Sequence, residues 1–131
     1  MKKQGSVLIL SALLSVSMSE PARIPEEVKD LPVVVVDSKG VEHRLKGLLC
    51  EGEAELQLRK GTLRYRIPLR SIERIEVLET DNPVKVRVWM RNGKEDTFEA
   101  DKGMRCSSES EEGSVTFYID EVKTIRIGVK R

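Results

Sequence analysis

Apolar side chains recur at every second position along much of the chain beyond residue 33, which is the period of a β-strand with one buried face. From residue 84 to residue 91, three valines and a methionine alternate with a lysine, two arginines and a tryptophan. The run Val33–Val36 is β-branched throughout, which also favours a strand. Glycine-containing turn signals separate these stretches. The pattern predicts an all-β fold of short strands joined by hairpins.

Two hairpins have three-residue loops at residues 38–40 and 91–93, and each loop ends in a glycine that can adopt the left-handed conformation such a loop requires. These loops place Val33 opposite Leu45, Val35 opposite His43, Val86 opposite Phe98 and Val84 opposite Ala100.

A further hairpin spans residues 54–68. A two-residue turn at Lys60-Gly61 would pair Leu58 with Leu63, Leu56 with Tyr65, Ala54 with Ile67 and Glu55 with Arg66. Because side chains alternate between faces, this register puts the apolar residues on one face and the charged ones on the other.

The chain also repeats itself. Residues 67–77 align with residues 117–127 at an offset of 50, and apolar residues match at Ile67/Phe117, Leu69/Ile119, Ile72/Val122, Ile75/Ile125 and Val77/Ile127. We interpret this as two β units, residues 33–78 and 84–131, each with five short strands and a tight or 3₁₀ turn before the fifth. The alternative is a non-repeated all-β domain in which the spacing is coincidental.

Each unit has only about 45 residues, too few to bury enough surface by itself. We therefore expect the units to share a core, either as two fused barrels or as one compact sandwich. The proline-punctuated segment of residues 20–32 is interpreted as a lead arm.

The strand order, with a short 3₁₀ turn between the fourth and fifth strands, resembles SH3-like and Sm-like small barrels. The I-P-L-x-x-I-x-x-I run from Ile67 to Ile75 also resembles repeats of exported bacterial β proteins of unknown function. The second unit departs from this pattern, because Tyr118 stands where the first has Pro68. The resemblance implies a tandem small-barrel fold and no particular activity.

Residues 1–19 have the layout of a secretory signal peptide. Lys2 and Lys3 precede an apolar run from Val7 to Val16, and Ser17-Met18-Ser19 supplies small residues before Glu20. The alternative is an uncleaved N-terminal anchor. Cleavage would predict an exported protein, periplasmic or extracellular, with no membrane span in the mature chain.

The net charge of the chain limits the classes of partner that it would attract. The whole chain carries a net charge of +1, and removal of Lys2 and Lys3 leaves 21 basic and 22 acidic residues. Such a balance provides no long-range attraction to nucleic acid.

Cys50 and Cys106, in an exported chain, permit one disulfide. The alternative is two separate buried thiols.

No catalytic or metal-binding motif stands out. The single histidine and the two distant cysteines fit no usual zinc spacing, and no nucleophile-elbow or phosphate-loop pattern occurs. We therefore expect no catalytic residue, metal or cofactor. His43 and Asp96 occupy the same position in the two repeats. One interpretation is that their side chains contact each other, and the alternative is that they are separate residues at the edges of the barrels.

Two sets of residues are candidates for binding. Trp89, the single tryptophan, shares a strand face with Arg87 and Arg91, a combination typical of interface anchors. The first unit is rich in arginine, including Arg64, Arg66 and Arg70, for which the alternative is local neutralisation by glutamates.

These patterns predict an exported, non-enzymatic β module for protein–protein interaction or envelope scaffolding. Its partner would be another protein or a second copy, bound through an open strand edge or the tryptophan face. The alternative is a binder of a small ligand or an anionic polymer, such as an anionic glycan or lipid headgroup, through the first-unit arginines.

Overall fold

The computed structural model describes residues 26–128, in which ten antiparallel strands form one curled, half-barrel sheet. The strands are β1 (Pro32–Asp37), β2 (Glu42–Cys50), β3 (Glu55–Lys60), β4 (Leu63–Pro68), β5 (Ile72–Glu79), β6 (Val84–Met90), β7 (Glu95–Ala100), β8 (Arg105–Ser110), β9 (Gly113–Tyr118) and β10 (Val122–Ile127). The all-β prediction is confirmed. The predicted signal peptide (residues 1–19) and the first part of the lead arm lie outside the described residues.

Short helical segments accompany the sheet. A four-residue helix, α1 (Glu26–Lys29), precedes β1, and 3₁₀ turns at Leu69–Ser71 and Ile119–Glu121 precede β5 and β10. Both 3₁₀ turns occur where the sequence predicted tight turns. Within residues 26–128, no helix is long and apolar enough to cross a membrane.

The sheet follows the order β4-β3-β7-β6-β5-β10-β1-β2-β8-β9. The order has a twofold pseudosymmetry. If each strand is replaced by the strand five positions earlier or later in the chain, so that β4 becomes β9 and β1 becomes β6, the same order is obtained, read from the opposite end. Strands from residues 33–78 and 84–128 are interleaved, because β3 borders β7 and β2 borders β8. Neither range forms a sheet of its own, and both contribute to one continuous sheet.

The β1–β2 and β6–β7 hairpins have the predicted registers. Val33 lies opposite Leu45 and Val35 opposite His43, while Val84 lies opposite Ala100 and Val86 opposite Phe98. The loop glycines, Gly40 and Gly93, have φ values of 85° and 93°, as the loop geometry requires.

The predicted register of the β3–β4 hairpin is wrong by two residues. The turn lies at Gly61-Thr62, so that Leu58 pairs with Tyr65, Leu56 with Ile67 and Lys60 with Leu63. The shift keeps every side chain on its predicted face, because the side-chain period is two. It brings Tyr65 against Phe98 of β7, with ring centroids 5.2 Å apart. That contact comes from a distant strand, and the hairpin sequence by itself does not contain it.

The core is one cluster with residues from both halves of the chain. At its centre, Ile75 of β5 lies opposite Ile125 of β10, and both side chains are fully buried. Leu69 and Ile119, which begin the 3₁₀ turns, are also buried. The expected shared core is therefore present, and the aligned apolar positions supply much of it.

Cys50 and Cys106 form a disulfide across the β2–β8 pair. The two residues lie directly opposite each other, with Cα atoms 4.0 Å apart, and both are buried. The bond therefore joins two strands that are 56 residues apart in the chain.

The central position of Ile125 makes its truncation costly. We expect Ile125→Ala to lower the free energy of unfolding by about 2–5 kcal/mol, because it leaves a cavity among buried neighbours. The control is Thr124→Ala, on the other face of the same strand, which should change it by less than about 0.5 kcal/mol. Urea unfolding followed by circular dichroism measures both values, and equal losses would contradict the assignment of the two faces.

Reduction of the disulfide should also destabilise the protein. A cross-link closing a loop of this length contributes about 4 kcal/mol in the chain-entropy model. Urea unfolding with and without dithiothreitol measures the difference, and a Cys50→Ala/Cys106→Ala variant should be insensitive to the reductant. Detection of two free thiols by mass spectrometry of the unreduced protein would end the prediction.

Candidate functional site

The outer face of the sheet carries Trp89 beside several arginines from neighbouring strands. On β6, Val84, Val86 and Val88 point into the core, so Trp89 points outward. Trp89 lies opposite Arg74 of β5, and Arg74 in turn lies opposite Arg126 of β10. Strand pairing therefore aligns the three residues in one row across the sheet.

The arginines contact the indole ring directly. The guanidinium carbon of Arg74 lies 3.9 Å from the ring centroid of Trp89, and that of Arg87 lies 5.7 Å from it. Both distances are within the range of cation–π attraction. We call the surface formed by Trp89, Arg74, Arg87 and Arg126 the Trp89 face.

The arginines of the Trp89 face have no acidic partner within ion-pair distance among residues 26–128. Glu76 lies opposite Arg87 in the ladder, but the two side chains form no ion pair. A cleft of about 360 Å³ lies between Trp89, Arg74 and Arg126, with Glu73 at its border. Within the described range, unpaired arginines therefore lie beside a half-buried indole ring, with Glu73, Glu76 and Glu95 on the neighbouring positions.

Arg91 has a different role from the one predicted. It borders the same cleft, but its Nε donates a hydrogen bond to the Arg70 carbonyl (2.8 Å) and its Nη2 donates one to the Ile127 carbonyl (2.7 Å). These bonds tie the first 3₁₀ turn to the end of β10. Arg91 therefore supports the structure under the Trp89 face, and two of its N–H groups are already used.

The first-unit arginines do not form one cationic site. Arg66 lies 3.4 Å from Glu55 and 3.6 Å from Glu53, so it is neutralised as the alternative interpretation held. Arg59 donates to Asp101 at 2.7 Å, and this hydrogen bond raises the pKa of Arg59. Arg64 and Arg70 are exposed and lie on β4 and the 3₁₀ turn, outside the row that contains Trp89.

Sequence reasoning missed Arg74 and Arg126 as neighbours of Trp89. Arg74 lies in the arginine-rich first unit, and nothing in the chain pattern singles out Arg126. Their positions follow from the β5–β6 hairpin and from the β5–β10 pairing, of which only the second joins segments distant in sequence. The β5–β6 hairpin register was the one signal that could have linked Arg74 to Trp89.

His43 contacts Asp37, and the hypothesised contact with Asp96 is wrong. Nε2 of His43 lies 3.0 Å from Oδ2 of Asp37, while Asp96 accepts a hydrogen bond from Lys60. Asp37 also accepts backbone N–H bonds from Lys39 and Val41, each 2.9 Å. The bond to His43 is the main cause that lowers the pKa of Asp37, and the Val41 N–H is the next.

The described part of the chain offers little for metal or covalent chemistry. Residues 26–128 contain no group of three or more histidine, cysteine, aspartate or glutamate side chains placed to hold a metal ion. The two cysteines are bonded to each other. The Trp89 face offers an aromatic ring and cationic groups, which bind by stacking and charge.

Comparison with known proteins places the chain in a family. A family model described as "Uncharacterised protein" matches residues 27–130, so the chain belongs to that family. An uncharacterized protein of Aquifex aeolicus (strain VF5) is 37% identical over 126 residues, which cover 95% of each chain. No solved structure matches the chain. These findings establish the family, and the function has to be argued from the site.

The Asp37 interactions predict a specific dependence of stability on pH. Because the pKa of Asp37 is lowered from 3.8 by folding, its ionised form stabilises the folded state above that pH. This contribution is lost as the pH falls below 3.8 through the lowered pKa. In Asp37→Asn the corresponding part of the pH dependence should disappear, as measured by urea unfolding at about pH 3 and pH 6. An unchanged difference between the two pH values would contradict the role of Asp37.

Proposed function

We propose that this member of the uncharacterised family is an exported, non-enzymatic β module that binds an acidic segment of a partner protein through the Trp89 face. The observation that carries the proposal is the row in which Arg74 stacks on Trp89 and stands beside Arg126. Tryptophan and arginine are the residue types that most often dominate binding free energy at protein interfaces.

The charge arrangement supports an anionic partner. Arg74 and Arg126 lie directly opposite each other, and like charges in this position destabilise a sheet. The Arg59/Arg64 pair of β3 and β4 differs, because Arg59 bonds to Asp101, whereas Arg74 and Arg126 have no acidic partner among residues 26–128. An uncompensated exception to such a local rule is typical of a functional site. A carboxylate-rich segment would offset the repulsion and would find an aromatic surface beside it.

The β4 edge of the sheet has less support as the binding surface. The two sheet edges are β4 and β9. Charged residues and a terminal proline on β4, namely Arg64, Arg66 and Pro68, are typical of edges protected against further pairing. The alternative site at the first-unit arginines also has less support, because Glu53, Glu55 and Asp101 already neutralise Arg66 and Arg59.

The framework is proposed to derive by duplication from two small-barrel units, as the SH3-like and Sm-like resemblance implies, with strands exchanged between the two halves of the sheet. The symmetric strand order and the matching 3₁₀ turns support this. At the aligned positions, Trp89 corresponds to Val36 and Arg74 to Thr124. Because Arg74 lies in the first unit and Trp89 and Arg126 in the second, the Trp89 face would then combine positions at which the two copies differ. Export rests on the signal-peptide pattern of residues 1–19.

Trp89 fluorescence provides the test, because the chain has a single tryptophan. Titration with an octaglutamate peptide at low salt should quench or shift the emission. Arg126→Glu should weaken this binding roughly tenfold, since exposed charge contacts and cation–π pairs each contribute up to about 1 kcal/mol. The same variant should unfold at an equal or higher urea concentration, because it removes the repulsion with Arg74.

Arg64→Glu is the matched control. It makes the same charge change on a residue that also lies opposite an arginine, Arg59, but away from Trp89. We expect it to bind octaglutamate as the wild type does. Equal weakening by both substitutions, or an unchanged emission spectrum in the wild type, would contradict the proposal. Heparin that binds as tightly as octaglutamate would favour the anionic-polymer alternative.

A further inference from the structure

A second recess shares no lining residue with the Trp89 face. It is a cleft of about 350 Å³ between the β1–β2 hairpin and the edge strand β9, which we call the His43 cleft. Its size and its mixture of apolar walls with a few polar groups are typical of small-molecule sites. The walls and rim include Val35, Leu45, Val115, Phe117, His43 and Asp37.

The symmetric strand order identifies the corresponding place at the opposite end of the sheet. Phe98 lies opposite Val86 in the same way that Leu45 lies opposite Val33, so Phe98 takes the position of Leu45. By the same correspondence, Tyr65 on β4 takes the position of Val115 on β9. The two edges of the sheet can therefore be compared residue by residue.

At the β4 end, this place is filled by the chain's own aromatic rings. The rings of Tyr65 and Phe98 pack edge to face, with centroids 5.2 Å apart and planes inclined by 66°. At the β9 end, Leu45 and Val115 replace both rings, and Phe117 in place of Ile67 restores one of them. The difference amounts to about one aromatic ring, which accounts for the open cleft.

The polar groups differ in a related way. Lys60 bonds to Asp96 at the β4 end, and its ammonium lies 5.8 Å from the centroid of the Phe98 ring. At the β9 end, Ser110 and His43 stand at the positions of Lys60 and Asp96. His43 bonds to Asp37, and its side chain is 42% exposed. The cleft thus offers a hydrogen-bonding imidazole and carboxylate at the rim of an apolar space.

The geometry points to the His43 cleft as a binding site for a phenol-type ring, supplied by a free aromatic molecule or by a tyrosine side chain of a partner. The ring would occupy the space that Tyr65 fills at the other end, between Leu45 and Val115. Its hydroxyl would exchange a hydrogen bond with the His43–Asp37 pair. This site is separate from the Trp89 face and does not depend on the function proposed for that face.

The test uses p-cresol, the analogue of a tyrosine side chain, and the ¹H NMR signals of His43, the single histidine. In the wild type, p-cresol should shift the imidazole signals in a saturable manner with one site per chain. Val115→Tyr should weaken this binding at least about tenfold, because the introduced ring fills the cleft as Tyr65 fills its counterpart. Tyr65→Val should open the second place, where Lys60 and Asp96 are the polar pair, and isothermal titration calorimetry should then give a stoichiometry of two p-cresol molecules per chain.

Controls separate ring binding from other effects. Toluene lacks the hydroxyl and should shift His43 more weakly than p-cresol, and equal binding would overturn the phenol class. Absence of a saturable shift in the wild type, or unchanged binding in Val115→Tyr, would overturn the site. If circular dichroism shows that Val115→Tyr does not fold, Tyr65→Val provides the test instead. An unchanged stoichiometry in Tyr65→Val would then overturn the site. Binding of N-acetyltyrosinamide as tightly as p-cresol supports a partner's tyrosine, and binding of p-cresol alone supports a free phenol.

Discussion

Ile75 lies opposite Ile125 where β5 meets β10, and the two halves of the sheet are joined at this pair of strands. Each half contains strands from both parts of the chain, since the β3–β4 hairpin lies beside β7 and the β8–β9 hairpin lies beside β2. Neither half is therefore complete without chain that reaches it from the other part. Burial of Ile75 and Ile125 stabilises the junction between the two halves, and the Cys50–Cys106 bond links β2 to β8.

The same central pairing determines the outer face. Because side chains alternate along a strand, burying Ile75 and Ile125 forces Arg74 and Arg126 outward and next to each other. The bulge between Ile72 and Arg74 then aligns Arg74 with Trp89 on β6. The register that builds the core thus creates the repulsive arginine pair, and an acidic partner is the chemistry that would relieve it.

The near-symmetry of the sheet makes its exceptions informative. Most aligned positions are core residues, and they behave alike in both halves. The differences fall at the surface and at the edges, where Trp89 corresponds to Val36 and Tyr65 to Val115. Those two differences produce a stacked aromatic surface on one half and an open cleft on the other. Both binding proposals therefore rest on positions where the two halves differ.

The alternation of apolar residues determined the strands, the faces of their side chains and the loops at Gly40 and Gly93, because these depend on contacts between near neighbours in sequence. The aligned block from Ile67 correctly indicated core positions and both 3₁₀ turns. Tertiary structure alone decided the interleaved strand order, the contact of Tyr65 with Phe98 that accompanies the β3–β4 register, and the approach of Arg126 to Arg74. Each of these depends on which distant strand is adjacent. The alternation of apolar residues cannot specify that neighbour, because every strand has the same period of two residues.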